Sequence, residues 1–228
     1  MSWVLSSQGV LVLSPPRCGS SCLTACVSFQ GFSLGKNPAD VKDEHNAKGY
    51  FENANMLRFN HHTLSWLRSS IHTTERLNAS EEVKLQTKDT EFQELLVNEF
   101  AGRGRFIIKD PRMLLLRGLY FKHLPDAKII CLSRDREAAA QSMDRMSTRS
   151  EGTQYFGSVW DFYKRECDAL LEAEPSRCMA VRFEEFLESP ENSLEAICSF
   201  LSSPFTKKGR EAALQFIDKK LVRFGDGV

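Results

Sequence analysis

Gly9-Val10-Leu11-Val12-Leu13-Ser14-Pro15-Pro16-Arg17-Cys18-Gly19-Ser20-Ser21-Cys22-Leu23 opens with an apolar run, Val10 to Leu13, and passes through two prolines and a glycine into a helix-like segment. A run of this kind reads as a buried strand feeding a tight loop onto a helix N-terminus. The loop amides and the unpaired N–H groups of the first helical turn then point at one spot. Ser20 and Ser21 bring hydroxyls there, and Arg17 adds a fixed positive charge. The result is an anion site of the size of a phosphate ester. It is not the standard triphosphate loop, GxxxxGK[ST], because Gly19 is followed by Ser20 and the cation sits two residues before the glycine.

A second stretch, Ala127-Lys128-Ile129-Ile130-Cys131-Leu132-Ser133-Arg134, reads as a buried parallel strand ending in an arginine. Asp135 then caps a helix running to about Met146, which carries Ser142 eight residues after Arg134. Arg134 and Ser142 converge on one anion if that helix folds back across the strand end, as crevices at switch points of α/β sheets allow. Further strands are expected at Phe106 to Lys109 and Met179 to Phe183, with another near Gly31 to Leu34. Helices are expected at Ser20 to Phe29, Asn53 to Ser69, Thr90 to Ala101, Met113 to His123, Gly152 to Ala173, Pro190 to Ser202 and Lys208 to Phe216. Alternation of this kind implies an α/β fold, three layers α/β/α around a central parallel sheet. Ile71 to Lys88 and Ser147 to Gly157 read as loops that cover an acceptor site.

The loop at Arg17 resembles the 5′-phosphosulfate loop of the sulfotransferase family. There a Lys or Arg, a Gly and two Ser/Thr residues hold the 5′-phosphate of 3′-phosphoadenosine 5′-phosphosulfate (PAPS). The Arg134/Ser142 pair resembles that family's 3′-phosphate site. Three more segments match small bacterial-type members: Lys48-Gly49-Tyr50-Phe51-Glu52-Asn53, Lys109-Asp110-Pro111-Arg112, and Val181-Arg182-Phe183-Glu184-Glu185-Phe186 followed by Ser189-Pro190. Five matches in the family's order span residues 9 to 201, and one sulfotransferase domain over 1–228 is expected.

The resemblance implies transfer of a sulfuryl group from PAPS, leaving 3′,5′-ADP, to a hydroxyl or amine of a small-molecule, sugar or lipid acceptor. Arg17, Cys18, Gly19, Ser20, Ser21 and Cys22 would hold the 5′-phosphate, Arg134 and Ser142 the 3′-phosphate, and Arg182 with Phe183 would lie near the adenine. Lys109 would reach the bridging oxygen or the sulfuryl group. Cytosolic sulfotransferases place a basic His shortly after that lysine; here Asp110, Pro111 and Arg112 stand instead. Glu52 is then the first candidate base and Asp110 the substitute, with Glu44, His45, His61 and His62 behind them. The plain alternative for Glu52 is a capping carboxylate; Lys207-Lys208-Gly209-Arg210 either supplies a late contact to the 3′-phosphate, as the resemblance implies, or is a solvated basic turn. Arg112 and Arg117 either face an acidic acceptor or pair with surface carboxylates. The aromatics Phe51, Trp66, Tyr155, Phe156 and Trp160 either line an acceptor pocket or belong to the core. A nucleotide-binding but catalytically silent relative is the alternative function, and a P-loop kinase a distant third.

Composition agrees. With 228 residues, 30 Lys and Arg against 30 Asp and Glu, and 42% apolar residues, the chain has ample core and no basic excess for nucleic acid. No apolar run approaches a membrane span, and Met1 to Leu5 lack a basic flank for a signal peptide. A cytoplasmic protein with reduced thiols is expected, and an oligomer is compatible. The seven cysteines show no metal-ligand spacing. Cys22 and Cys26 are expected to pack as small hydrophobes, whereas Cys18, inside an anion loop, is expected to have a lowered pKa and to oxidise easily.

Overall fold

The structure, a computed structural model, describes residues 8–39, 41–43, 46–148 and 151–218. Glu44, His45 and the N-terminal Met1 to Leu5 lie outside the described residues. Strands β1 (Gly9–Leu13), β2 (Phe106–Lys109), β3 (Lys128–Ser133) and β4 (Cys178–Arg182) form one parallel sheet in the order β2-β1-β3-β4. Successive side chains of a strand point to opposite faces, and both faces here are buried. Val10, Val12, Ile107, Ile130 and Leu132 pack with Leu23, Cys26 and Val27 of α1 (Ser20–Ser28), Leu194 and Ile197 of α9 (Pro190–Phe200) and Ala213 of α10 (Lys207–Phe216). Leu11, Leu13, Ile108, Ile129 and Cys131 pack on the other face. Their partners include Met56 and Phe59 of α2 (Ala54–Trp66), Phe92 of α4 (Asp89–Phe100), Tyr120 of α5 (Arg117–His123) and Phe156 and Phe162 of α7 (Gly152–Ala173). The expected α/β/α layering is therefore present.

The sequence boundaries need four corrections. The polar stretch 71–88 contains α3 (Ala79–Gln86), started by a capping box in which Asn78 and Glu81 bond each other's backbone N–H. The helix expected over Met113 to His123 divides into a 3₁₀ turn, Pro111–Leu114, and α5. Gly31 to Leu34 makes only an isolated bridge, Ser33 to Phe106. β4 ends at Arg182, and Phe183 begins the short α8 (Phe183–Glu188).

Asp135 caps α6 (Arg136–Met146) by accepting the Ala138 N–H at 2.8 Å, as expected. Asn53 is the cap of α2, accepting from the Asn55 and Met56 amides, so Glu52 is released from that duty. The segment carrying Glu52 is instead fixed through Glu99, which is 2% exposed. Its two oxygens accept from the side chains of Asn37, Asn53 and Asn55, each at 2.7 Å. Burial pushes the Glu99 carboxyl up, but these hydrogen bonds outweigh it and hold the group below its ordinary range. A depressed carboxylate pKa contributes stability that is present above the unfolded value and lost as pH falls through the folded one. Glu99→Gln is expected to cost about 2 kcal/mol at neutral pH, with the loss shrinking toward the acid end; urea midpoints across pH check this.

Candidate active site

All four strands run the same way, so their carboxyl ends share one edge, and the order reverses about β1. A crevice at such a point is where α/β sheets bind ligands. Here it is a cavity of about 660 Å³, reached by the loop after β1, by Lys109 at the end of β2, by Arg134 after β3 and by Phe183 after β4. Among its described lining residues, Arg17, Lys48, Lys109, Arg112, Arg134 and Arg145 face only two carboxylates, Glu52 and Asp218. A formally neutral chain thus concentrates positive charge in one place.

The β1–α1 loop turns through two left-handed residues, Arg17 (φ 65°) and Gly19 (φ 82°). No side chain caps α1, and its first turn carries no acidic residue, so its leading amides are left to the cavity. Arg17 Nε donates to Ser142 Oγ at 3.2 Å, and Arg134 donates from Nη1 to the Arg17 carbonyl at 3.3 Å. The two sequence segments are thereby brought together. Burial pulls both guanidinium pKa values down, and a desolvated cation gains more from an arriving anion than a hydrated one. Ser21 accepts a hydrogen bond from Asn46 at 3.1 Å.

Opposite the loop, Lys109 Nζ donates to Glu52 Oε1 at 2.6 Å, with the two side chains 4% and 9% exposed. Burial pushes the Glu52 carboxyl above its ordinary value, and the ammonium pulls it back only in part. Tyr50 lies beside them, its ring 5.8 Å from Lys109 Nζ and its hydroxyl donating to Asp43 at 2.7 Å. Asp110 is placed differently. It is 1% exposed, does not line the cavity, and is engaged by the Arg112 guanidinium and backbone N–H and by Asn60.

Arg182 is 62% exposed and stands outside the cavity wall near Glu184 and Glu185, whereas Phe183 is in the wall. His61 and His62 are exposed and outside it too. Arg117 pairs with Glu166 at 2.6 Å, and Arg210 with Glu191 at 2.7 Å, so neither reaches the cavity. Phe51, Trp66, Tyr155, Phe156 and Trp160 do not line it.

Cys18 overturns its expectation. Its side chain is wholly buried beneath the loop, its thiol donates to the Pro16 carbonyl at 3.9 Å, and burial pushes its pKa up to about 12. An amide-lined anion site lowers a thiol only if the sulfur faces it, and this one does not. Cys22 lines the cavity and is held below the ordinary thiol value, first by its hydrogen bond from Cys26, against burial and with help from Lys48.

The sequence family model described as Sulfotransferase family matches residues 9–207. The chain belongs to that family. No curated protein matches it in sequence. Among solved structures it is similar to the sulfotransferase domain of the Synechococcus PCC 7002 olefin synthase, at 20% identity and TM-score 0.59, covering 93% of this chain and 78% of that one. A sulfotransferase domain from the curacin biosynthetic pathway is similar at 17% identity and TM-score 0.59, covering 96% and 81%. Sulfotransferase STF1 of Mycobacterium tuberculosis H37Rv follows at 11% and 0.56, covering 91% and 71%. At these identities the likeness is one of fold.

Within this sulfotransferase-family cavity the sequence reading missed Asn46, Tyr50 and Phe216, while Ile71 and His72 belong to the loop that it expected to cover the acceptor site. Tyr50 stood inside the KGYFEN segment without a role. Ile71 and His72 are carried in by the loop before α3, whose backbone is tied down by the hydroxyls of Tyr163 and Tyr155, donating to the two carbonyls at 2.9 and 2.5 Å. Nothing in the polar run 71–88 signals those ties.

Proposed function

We propose that the protein transfers a sulfuryl group from PAPS to an acceptor hydroxyl or amine. The buried Lys109–Glu52 pair, 2.6 Å apart in the wall of a cationic cavity, is the observation that carries this reading. The amides of Gly19, Ser20 and Ser21 with Arg17 would hold the 5′-phosphate, and Arg134 with Ser142 the 3′-phosphate. In an in-line displacement the acceptor oxygen attacks sulfur, its proton passes to Glu52, and the S–O bond to the phosphate breaks as negative charge builds on the leaving oxygen. Lys109 and Arg17 take up that charge. The pairing makes the two roles reinforce each other: as Lys109 turns toward the leaving oxygen, Glu52 loses its counter-ion in a dry site and its affinity for a proton rises.

Binding of 3′,5′-ADP, measured by calorimetry against 5′-AMP, ADP and ATP, tests the nucleotide half. Tight binding that needs the 3′-phosphate and falls about tenfold or more in Arg134→Ala is expected, the range for a lost charge-assisted hydrogen bond. Indifference to the 3′-phosphate would remove the PAPS assignment. Binding without transfer to any acceptor would favour a silent nucleotide-binding relative.

A further inference from the structure

Arg112 stands at the end of a buried chain of hydrogen bonds that serves no purpose in the nucleotide half. Tyr120 donates its hydroxyl to Asn60 Oδ1 at 2.9 Å, and Asn60 donates from Nδ2 to Asp110 Oδ2 at 2.9 Å. The other Asp110 oxygen accepts from the Arg112 backbone N–H at 2.9 Å and from its Nη1 at 3.0 Å. Tyr120 and Asn60 are fully buried and Asp110 nearly so. Tyr120 of α5, Asn60 of α2 and Asp110 at the cap of the 3₁₀ turn therefore fix one guanidinium, whose side chain is 19% exposed and lines the cavity. Asp110 takes Nη1 alone. Among the described residues the Nε–Nη2 edge has no partner, and that edge presents two parallel N–H donors matched to the two oxygens of a carboxylate. Leu57, Ile71, Pro111, Met143 and Met146 supply an apolar wall to the same cavity.

We infer that the acceptor is a hydroxylated molecule with an apolar body and a carboxylate, and that Arg112 grips the carboxylate and so selects it. The inference rests on the sulfotransferase reading above and names its acceptor class. A lysine would not serve, because the held orientation and the paired donors belong to the planar fork.

Calorimetry on the protein saturated with 3′,5′-ADP tests this, with ω-hydroxylaurate and ω-hydroxypalmitate titrated against their methyl esters. The acids are expected to bind about tenfold or more tightly than the esters. In Arg112→Gln and Arg112→Lys that preference is expected to vanish, with affinity for 3′,5′-ADP close to wild type; the thermal midpoint should fall in Arg112→Gln, where the buried Asp110 loses its counter-ion, and less in Arg112→Lys, which keeps the charge. Equal binding of acid and ester, or binding of neither, overturns the inference while the nucleotide assignment stands. A fall in 3′,5′-ADP affinity in Arg112→Gln overturns it as well, by placing the guanidinium on the nucleotide. If 3′,5′-ADP itself does not bind in a 3′-phosphate-dependent way, it is the underlying sulfotransferase reading that fails.

Discussion

Glu52→Gln is expected to lower sulfuryl transfer by about 10²–10⁴-fold, the usual contribution of a general base, while 3′,5′-ADP affinity stays within about twofold of wild type. The amide keeps the shape and still meets Lys109 but takes no proton. The wild-type rate should rise with pH along a limb lying above the ordinary Glu range, because burial raises this carboxyl, and that limb should be absent from the residual activity of the variant. Full activity in Glu52→Gln would move the base elsewhere. Lys109→Ala should fail differently. It strands a carboxylate that is 9% exposed, and removing one member of a buried pair costs about 3–5 kcal/mol. The sign with pH is fixed by the carboxylate. With its counter-ion gone its folded pKa lies still further above the unfolded value, so the folded state is favoured while the proton is on. The stability loss should therefore be small in acid and grow as pH rises through the folded pKa. Denaturant midpoints at two pH values separate this from simple loss of packing.

The contrast between Glu52 and Asp110 shows where sequence reasoning reached its limit. Both are carboxylates close to a strand-end lysine in the reading of the chain, Asp110 by direct adjacency and Glu52 by a motif 57 residues away. Adjacency in sequence was the poorer guide, because alternate residues of a strand point to opposite faces. Lys109 enters the cavity, and Asp110 turns under it to cap the 3₁₀ turn and hold Arg112. That Arg17, Ser142 and Arg134 line one cavity was legible because the turn after β1, helix α6 and the end of β3 fix the direction of their backbone. The same logic failed for Cys18, whose sulfur the turn sends inward, and for Arg182, where β4 ends one residue before expected and gives the wall position to Phe183. Ile71 and His72 depend on hydroxyls of α7 more than eighty residues away. Contacts of that separation leave no periodic trace.

Gly19→Ala is expected to cost at least tenfold in 3′,5′-ADP affinity and to lower the thermal midpoint. Two separable effects combine. At φ 82° an L side chain is strained by roughly 1–2 kcal/mol, and an added Cβ would lie 2.4 Å from Cε2 and Cζ of the Phe183 ring, closer than real atoms come. The ring has little room to retreat, being 3% exposed and stacked on Phe186 at a centroid distance of 6.3 Å. The loop must therefore move, and with it the amides proposed to receive the 5′-phosphate. Gly102, at φ 72° with nothing within 4 Å of an added Cβ, supplies the control: Gly102→Ala reports the backbone strain alone. Removing the obstacle in Gly19→Ala/Phe183→Leu should restore the part due to collision and leave a deficit of the size seen at Gly102. Wild-type binding in Gly19→Ala would mean that the loop has slack, and that the close packing of Phe183 on the glycine is not what shapes the anion site.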